Sequence, residues 1–250
     1  MSPVVNLRSR VQFQDLDQKR DQWISVKSQP FAQLRFEELI RSRWGRQNCA
    51  LDDPGNPAVW NADNLDEFRT QQLDYHSRAA RRLISLAQSK RHLSSQDLLE
   101  MHGVMLCGSP EQGKFRNSWI QPLAEGHQPS ESEILPEIIE NAMEWFVSDS
   151  ICQIHEVEQA ALFLAKLLDI LPFQQENGRT LRLAANFFLF RAEFPPAVIA
   201  SSRTDQYCFA IKKALRLETQ DLIDLLVGSV LESLHYCLGE KTPASAFQIL

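Results

Sequence analysis

The segment Leu171 to Arg182, which reads LPFQQENGRTLR, contains side chains that could bind an anion. Asn177 and Gly178 predict a tight turn and the start of a helix, whose first N–H groups have no partner within the helix and can bind anions. Arg179 and Arg182 are three residues apart, so they share a helix face and could both contact a phosphate group. The alternative interpretation is an ordinary helix start with two solvated arginines.

A second glycine-rich segment has most of the pattern of a phosphate-binding P-loop. Gly108 to Lys114 spells G-x-x-x-x-G-K, but Phe115 follows where the pattern requires the Ser or Thr that holds Mg²⁺. The segment also follows a helical pattern, whereas a P-loop follows a strand. We therefore predict that it is not a P-loop.

Apolar residues recur at helical spacing along most of the chain, which predicts a mostly α-helical fold. A capping pattern at Ser94 to Asp97 predicts a helix start. Further amphipathic runs cover residues 131–147, 157–170, 177–192, 206–215 and 220–238. The run 157–170 is apolar nearly all round and should be the central buried helix. We expect a short β-hairpin at Phe115 to Pro122.

The turn-rich connector Asp52 to Pro57 divides the chain into an N-terminal helical section, residues 1–56, and a helical domain, residues 57–250. Apolar residues of the first section repeat at helical spacing and must pack against another surface: Phe31, Leu34, Phe36, Leu39, Ile40 and Trp44. The section is therefore a candidate docking surface, oligomer interface or extra helical layer.

Charge and composition exclude several functional classes. The formal net charge is −6, from 26 basic and 32 acidic residues, which argues against general nucleic-acid binding. Arg78, Arg81 and Arg82 are most simply a solvated helix face. The five cysteines are scattered and never spaced C-x-x-C, which favours free thiols over disulfides or a zinc site. Charges interrupt every apolar run and no leader pattern begins the chain, so we expect a cytoplasmic protein without a membrane span.

Segment 171–182 resembles the central motif of the Fic family, which has the Fic/Doc fold and reads H-P-F-x-[D/E]-G-N-G-R-x-x-R. Upstream, Leu98 to His102 and then Gly113 to Arg116 are similar to a family helix and to the entry of its flap hairpin. Downstream, residues 182–196 resemble the continuation R-L-x-x-N-x-x-L-x-x-x-G-x-P-P, with Glu193 where that pattern has glycine. The core motif region is 98–200. The resemblance implies a Fic-type helical bundle with a short β-hairpin flap and an N-terminal helical extension.

Fic proteins typically transfer AMP from ATP to a protein hydroxyl, and the resemblance implies four roles for the motif. These are a histidine base, an acidic ligand for Mg²⁺, an anion cradle rich in backbone amides, and arginines on the outer phosphates. Phe173 keeps its anchoring position. The resemblance assigns nucleotide or phosphate binding to the cradle residues, the arginines and the residue before them: Asn177, Gly178, Arg179, Arg182 and Glu176.

Three positions depart from the family motif. The base position is Leu171, which cannot take a proton, and a positioned general base is typically worth about 10²–10⁴ in rate. The metal position is Gln175, whose neutral amide is a poor ligand for Mg²⁺. Glu176 replaces the first cradle glycine, and its charge would repel a nucleotide unless a cation lay between them. We therefore predict no catalytic residue and no metal ligand in this motif.

Another histidine could in principle replace the missing base. His155 lies 16 residues before Leu171, about 24 Å along a helix, and would be at the wrong end. His102 and His127 lie on an upstream helix and near the flap, where a lone histidine is more often structural. Segments 42–47 and 70–75 match the inhibitory helix of many family members only in part, and no prediction is made from them.

The flap of the Fic family docks an extended segment of the protein target. The resemblance places the corresponding residues of this chain at Lys114, Arg116, Trp119, Ile120 and Gln121. Addition of a partner strand to such a segment would use main-chain hydrogen bonds. The alternative for Trp119 is ordinary burial beneath a loop.

These observations lead to two functions of different classes. The first is a degenerate Fic-domain protein without AMP-transferase activity, which binds a nucleotide such as ATP or a protein and acts as a regulatory module. The second is an active transferase of AMP or another phosphate-linked group that works without the histidine. Both expect a protein partner or target at the flap, and both leave Mg²⁺ binding open.

Overall fold

A computed structural model describes residues 7–53 and 55–240, and these residues form eleven α-helices. They are α1 (Leu7–Val26), α2 (Pro30–Glu38), α3 (Trp44–Leu51), α4 (Glu67–Gln88), α5 (Ser95–Met105), α6 (Leu135–Trp145), α7 (Asp149–Cys152), α8 (Glu156–Ile170), α9 (Asn177–Arg191), α10 (Thr204–Ala214) and α11 (Gln220–Leu238). A π-helical turn, Leu39–Arg43, joins α2 to α3. The mostly helical fold predicted from the sequence is confirmed.

Helices α8 and α9 form the centre of the molecule and pack against each other. α8 begins where the His155 ring accepts the N–H of Val157, and nearly all of its apolar side chains are buried. α9 is buried from Thr180 to Phe190. The predicted central helix is therefore confirmed, and the motif segment is the loop that joins this buried pair.

The remaining helices surround this pair. α4 and α5 pack on α9, and α3 packs on α4 and on α9. α11 packs on α8, with α1 and α10 against α11. Residues of α1, such as Leu16 and Trp23, belong to the same hydrophobic cluster as the α8–α9 core. The proposed domain boundary near residue 56 stays a prediction.

The apolar pattern of the N-terminal section is only partly buried. Leu39, Ile40 and Trp44 are in the core, whereas Phe31 is 45% exposed and Leu34 is 71% exposed, so packing of these two against another surface stays a prediction. α2 turns Ala32 toward the core. Leu34 lies roughly opposite, because two residues rotate a helix by about 200°.

The β-hairpin predicted at Phe115 to Pro122 is not formed, and no strand occurs in the part of the chain that the structure describes. The backbone N–H of Arg116 donates to the carbonyl of Pro172, and other backbone groups in this segment or next to it bond to side chains. The His127 ring accepts the N–H of Leu123, and the Gln174 amide donates to the carbonyl of Trp119. Pro122 also lacks the N–H that a ladder would use.

The basic residues of α4 and the cysteines lie as follows. Arg78, Arg81 and Arg82 are half-exposed, and each lies beside a carboxylate, of Asp74, Glu37 and Glu100 respectively. All five cysteines are free. Within residues 7–53 and 55–240, no group of three or more metal-ligating side chains is found, and no helix is long and apolar enough to cross a membrane.

Candidate functional site

The predicted base position is sealed inside the protein. Leu171 ends α8 in the left-handed backbone region, with φ of 51°, and only 1% of its surface is exposed. Its carbonyl accepts a hydrogen bond of 2.7 Å from Nε of Arg116. A buried isobutyl group thus stands where a base would be needed.

His102 positions the motif loop and is not available as a base. Its ring stacks on Phe173 with centroids 3.9 Å apart, and it is fully buried. The backbone N–H of Gly113 donates to Nδ1 at 3.2 Å, so Nε2 of the neutral ring donates to the carbonyl of Gln175 at 3.3 Å. Burial lowers the pKa of His102 to about 4, against a smaller upward effect of the Gln175 carbonyl. The ring is therefore neutral at pH 7 and both nitrogens are used.

Asn177 closes the motif loop on itself. Its Oδ1 accepts the N–H of Phe173 at 3.0 Å, and its Nδ2 donates to the carbonyl of Phe173 at 2.6 Å. The side chain is buried, so both halves of the amide are used within the fold. Asn177 fixes the start of α9.

Arg182 is the most enclosed cation of the site. It donates from Nε to Oδ1 of Asn48 at 2.6 Å and from Nη2 to the carbonyl of Asn48 and to Oδ1 of Asp52, both at 2.8 Å. Nη1 lies 3.3 Å from the Tyr207 hydroxyl. Burial alone would lower the pKa of Arg182, but the Asp52 carboxylate and the Tyr207 oxygen raise it overall. The guanidinium is charged, and its charge is balanced within the chain.

Arg179 is satisfied in the same way. Nε donates to Oε2 of Glu176, and Nη1 donates to the Gln72 amide oxygen at 3.0 Å and to the Cys49 sulfur at 3.4 Å. Burial disfavours the charged form of Arg179 and would lower its pKa. The Glu176 carboxylate outweighs burial, so the pKa of Arg179 is raised overall. Burial also raises the pKa of Cys49, although Arg179 opposes this. Glu176 thus neutralises the arginine beside it.

Gly178 has a reason within the protein to be glycine. A Cβ added there would lie 2.7 Å from Oδ1 of Asp52 and 2.8 Å from Nη1 of Arg182. The Asp52 carboxylate therefore lies directly against the first turn of α9, where an external anion would bind. Two buried arginines meet two carboxylates, and the charges of the site cancel.

The residues around the motif do not fit a divalent metal. Gln175, at the family's metal position, is exposed and neutral. Glu176 is the acidic side chain next to it, and its oxygen is bonded to Arg179. Mg²⁺ prefers anionic oxygen ligands that are free to coordinate. No step that requires a metal is assigned to these side chains.

The other histidines have structural partners. His155 is the N-cap of α8, whereas Leu171 is its C-cap, so the two lie at opposite ends as predicted. The His127 ring accepts the N–H of Leu123 and lies 2.9 Å from the carbonyl of Asp169. Neither ring contacts the motif loop.

The predicted docking residues are divided between an anchor and an exposed surface. Arg116 is buried and donates to the carbonyls of Leu171, Ser118 and Ser130, so it holds the segment against the motif loop. Burial lowers its pKa, and Glu133 partly offsets this. Lys114 is exposed and donates to Pro110, Gln121 is exposed, and Ile120 packs on the core. Trp119 is 75% exposed, which contradicts burial beneath a loop.

Four residues that complete the site were missed from the sequence: Asn48, Asp52, Gln72 and Tyr207. Asp52 was interpreted only as part of a turn. Asn48 was not singled out, although a buried polar residue among the apolar residues of α3 was a usable signal. Asn48, Asp52 and Gln72 lie more than a hundred residues from the arginines they contact, and Tyr207 lies 25 residues from Arg182, so local periodicity does not reveal these contacts.

The geometry defines a class of protein, a helical bundle with a glycine–arginine loop between its two central helices. Residues 92–189 match the model of the Fic/DOC family. The chain is 36% identical over 132 residues to the protein adenylyltransferase Fic of Drosophila mojavensis, covering 52% of this chain and 26% of that protein. The chain is 29% identical over 218 residues to the Aedes aegypti protein of the same name, and this match covers 82% of this chain and 43% of that protein. The chain thus spans less than half the length of these relatives.

Solved structures show the same fold. Fic-1 from C. elegans superposes with a TM-score of 0.80 at 20% identity, covering 95% of this chain and 74% of that one. A Fic domain containing signaling protein from Bacteroides thetaiotaomicron superposes with a TM-score of 0.73 at 17% sequence identity. This match covers 91% of this chain and 99% of that one. Residues 92–189 therefore match the Fic/DOC family in sequence, and the solved structures show that the chain shares the fold of Fic proteins.

Proposed function

We propose that this chain is a Fic-domain protein that does not transfer AMP and acts as a protein-binding regulatory module. The observation that supports this most directly is the contact of Asp52 with Arg182 and Gly178. It fills the anion position of the motif with a carboxylate of the chain itself.

The chemistry of adenylyl transfer supports the same proposal. A protein hydroxyl must lose a proton as it attacks phosphorus, and Leu171 cannot accept one. Loss of a general base lowers the rate by about 10²–10⁴. Phosphate charge must be stabilised by cations, yet Glu176 and Asp52 neutralise both arginines. These effects act on separate parts of the reaction, so a single replacement elsewhere would not restore it.

Two alternatives require a rearrangement. Transfer without the histidine, or nucleotide binding in the motif, needs Asp52 and Glu176 to leave the arginines. Docking of a protein at the flap needs no rearrangement, because Trp119 is already exposed beside a cavity of about 210 Å³ bordered by Ile120 and Glu131. We therefore place the protein-binding function at the flap.

The transfer part of the proposal is tested with ATP labelled at the α-phosphate, with Mg²⁺ or Mn²⁺ present. The wild-type chain should label no protein, itself included. A variant that restores the family pattern and frees Arg182 (Leu171→His, Gln175→Asp, Glu176→Gly and Asp52→Asn) is the positive control. Labelling by the wild-type chain that disappears in Arg179→Ala would reject the proposal.

The docking part is tested with a matched pair of tryptophan variants. Trp119 lies at the flap, and Trp145, which is 44% exposed on α6, lies outside the cavity beside Trp119. A partner of the flap should bind Trp145→Ala as it binds the wild type and should bind Trp119→Ala at least tenfold more weakly. Equal binding to both variants would place the partner elsewhere.

A further inference from the structure

A second cavity lies far from the motif in sequence, where the N-terminal helices meet the central ones. We call it the junction groove; it has a volume of about 820 Å³. The ends of α1, α4 and α9 and the middle of α2 surround it. Its floor is made of large apolar side chains, which are Trp23, Phe36, Ile84, Phe190 and Phe194. Volumes of about 300–1,000 Å³ with an apolar lining are typical of small-molecule sites.

Most charges at the rim of the junction groove are paired. Lys27 contacts Glu193 at 2.9 Å, and Glu37 contacts Arg81 at 2.6 Å. Lys90 and Arg191 also line the groove, and neither has a carboxylate partner within residues 7–53 and 55–240. Two positive charges are therefore left at the rim.

Lys90 follows the end of α4 by two residues, and Arg191 is the last residue of α9. Arg191 donates from Nη1 to the His92 ring at 3.2 Å, and His92 follows Lys90 by two residues. That bond uses one guanidinium N–H, and the others remain free for an anion. A guanidinium and an ammonium that line one cavity can each bind a carboxylate or a sulfonate.

The helix ends around the groove do not cancel these charges. α1, α4 and α9 all end here, and each helix C-terminus carries roughly half a negative charge. The three helix ends together contribute a charge of about −1.5, whereas the side chains of Lys90 and Arg191 contribute +2. Moreover, the effect of a helix end is screened within one turn, whereas exposed side chains can move to meet a ligand.

We propose that the junction groove binds an organic anion of small-molecule size. Its apolar body lies on the aromatic floor, and its anionic group lies between Lys90 and Arg191. The apolar lining contacts the body of the ligand, and the two cations fix its orientation. This site is separate from the motif and does not depend on the function proposed above.

The probe for this site is 8-anilinonaphthalene-1-sulfonate, an aromatic body with one sulfonate, followed by its fluorescence and by calorimetry. The full chain should bind one equivalent saturably. Reversing both cations (Lys90→Glu with Arg191→Glu) should weaken binding at least tenfold. The matched control reverses two exposed basic residues outside the groove (Lys212→Glu with Arg216→Glu) and should leave binding unchanged.

A second pair of variants tests the location without changing charge. Gln88 lines the groove and Gln71 lies on the same helix outside it, and both are exposed. Gln88→Trp should block the probe, and Gln71→Trp should not. Absence of saturable binding, or binding indifferent to both charge reversal and Gln88→Trp, would overturn the proposal. Binding that falls as the chain dimerises would assign the groove to a second copy and would overturn it as well.

Discussion

The motif site and the junction groove each contain two basic side chains, but only in the groove are the charges available. Arg179 and Arg182 are more than nine-tenths buried and bonded to Glu176, Asp52 and neighbouring polar groups. Lys90 and Arg191 are exposed and have no carboxylate beside them in the described residues. The arginines that match a family motif are the ones that the fold itself has neutralised.

The difference shows that an arginine in a motif does not by itself make an anion site. A buried guanidinium must have partners, because an uncompensated charge in the interior is costly. Once the chain supplies those partners, the arginine holds the fold together. An exposed cation over an apolar floor has no such partners and can bind an external anion.

The largest expected effect is on the free energy of unfolding when one arginine of each site is removed. Arg182→Met leaves Asn48, Tyr207 and Asp52 without their donor and should destabilise the protein by about 2–4 kcal/mol, because a broken buried pair leaves a charge behind. Asp52 keeps some contact with water, which favours the lower end. Arg191→Met should change stability by less than about 0.5 kcal/mol. Urea unfolding measures the change in stability of both variants. Equal changes would contradict the difference between the motif site and the junction groove.

Part of the pH dependence of stability should come from the region around the motif, in addition to His155 and His235, whose pKa values burial also lowers. Burial lowers the pKa of His102 to about 4, and burial with the nearby Arg179 and Arg182 lowers that of His76 to about 3. Unfolding releases these rings to a pKa near 6.5, so the unfolded state binds more protons between pH 4 and 6.5. Stability is therefore full above pH 6.5 and falls as the pH is lowered toward 4, by up to about 3 kcal/mol for His102.

The variant His102→Gln isolates one of these groups, since glutamine can donate and accept but does not titrate. Between pH 5 and 6, its stability should change with pH less steeply than that of the wild type, by about 1 kcal/mol per pH unit. Urea unfolding at several pH values gives both slopes. Identical slopes would show that His102 is not held neutral in the fold.

The smallest effect compares two glutamates that stand where the family pattern has glycine. Glu176 and Glu193 both adopt the left-handed region, with φ of 61° and 65°. Glycine would relieve about 1 kcal/mol of strain at either position. Glu193→Gly gives up only an exposed pair with Lys27 and should stabilise the protein by about 0.5 kcal/mol. Glu176→Gly leaves the buried Arg179 without its carboxylate and should destabilise the protein. Thermal unfolding should therefore show changes in stability of opposite sign for the two variants.

Much of the fold was predictable from the sequence, because local patterns determine helices. The capping box at Ser94 and Asp97 begins α5 as predicted, and the apolar run 157–170 becomes α8. The motif loop between two helices and the family resemblance also follow from the order of residues. The absence of the hairpin was not predictable in this way, because Gln174, 55 residues away, binds the backbone of Trp119 and Arg116 binds the carbonyl of Leu171.

The state of the site could not be predicted from the motif alone. The sequence shows which arginines are present but not that Asp52, 130 residues earlier, lies against Arg182. Such a contact depends on how α3 packs on α9, and two helices distant in the chain leave no local signal. The same is true of Lys90 and Arg191, which line one groove although they are 101 residues apart in the chain.

The most direct test of the central claim is calorimetric titration of ATP into the wild-type chain and into an isosteric variant, Asp52→Asn with Glu176→Gln. This variant keeps the shape of both side chains and removes the charges that neutralise Arg179 and Arg182. We predict no binding to the wild type below about millimolar ATP and at least tenfold tighter binding to the variant. Micromolar binding to the wild type that is lost in Arg179→Ala would contradict the claim.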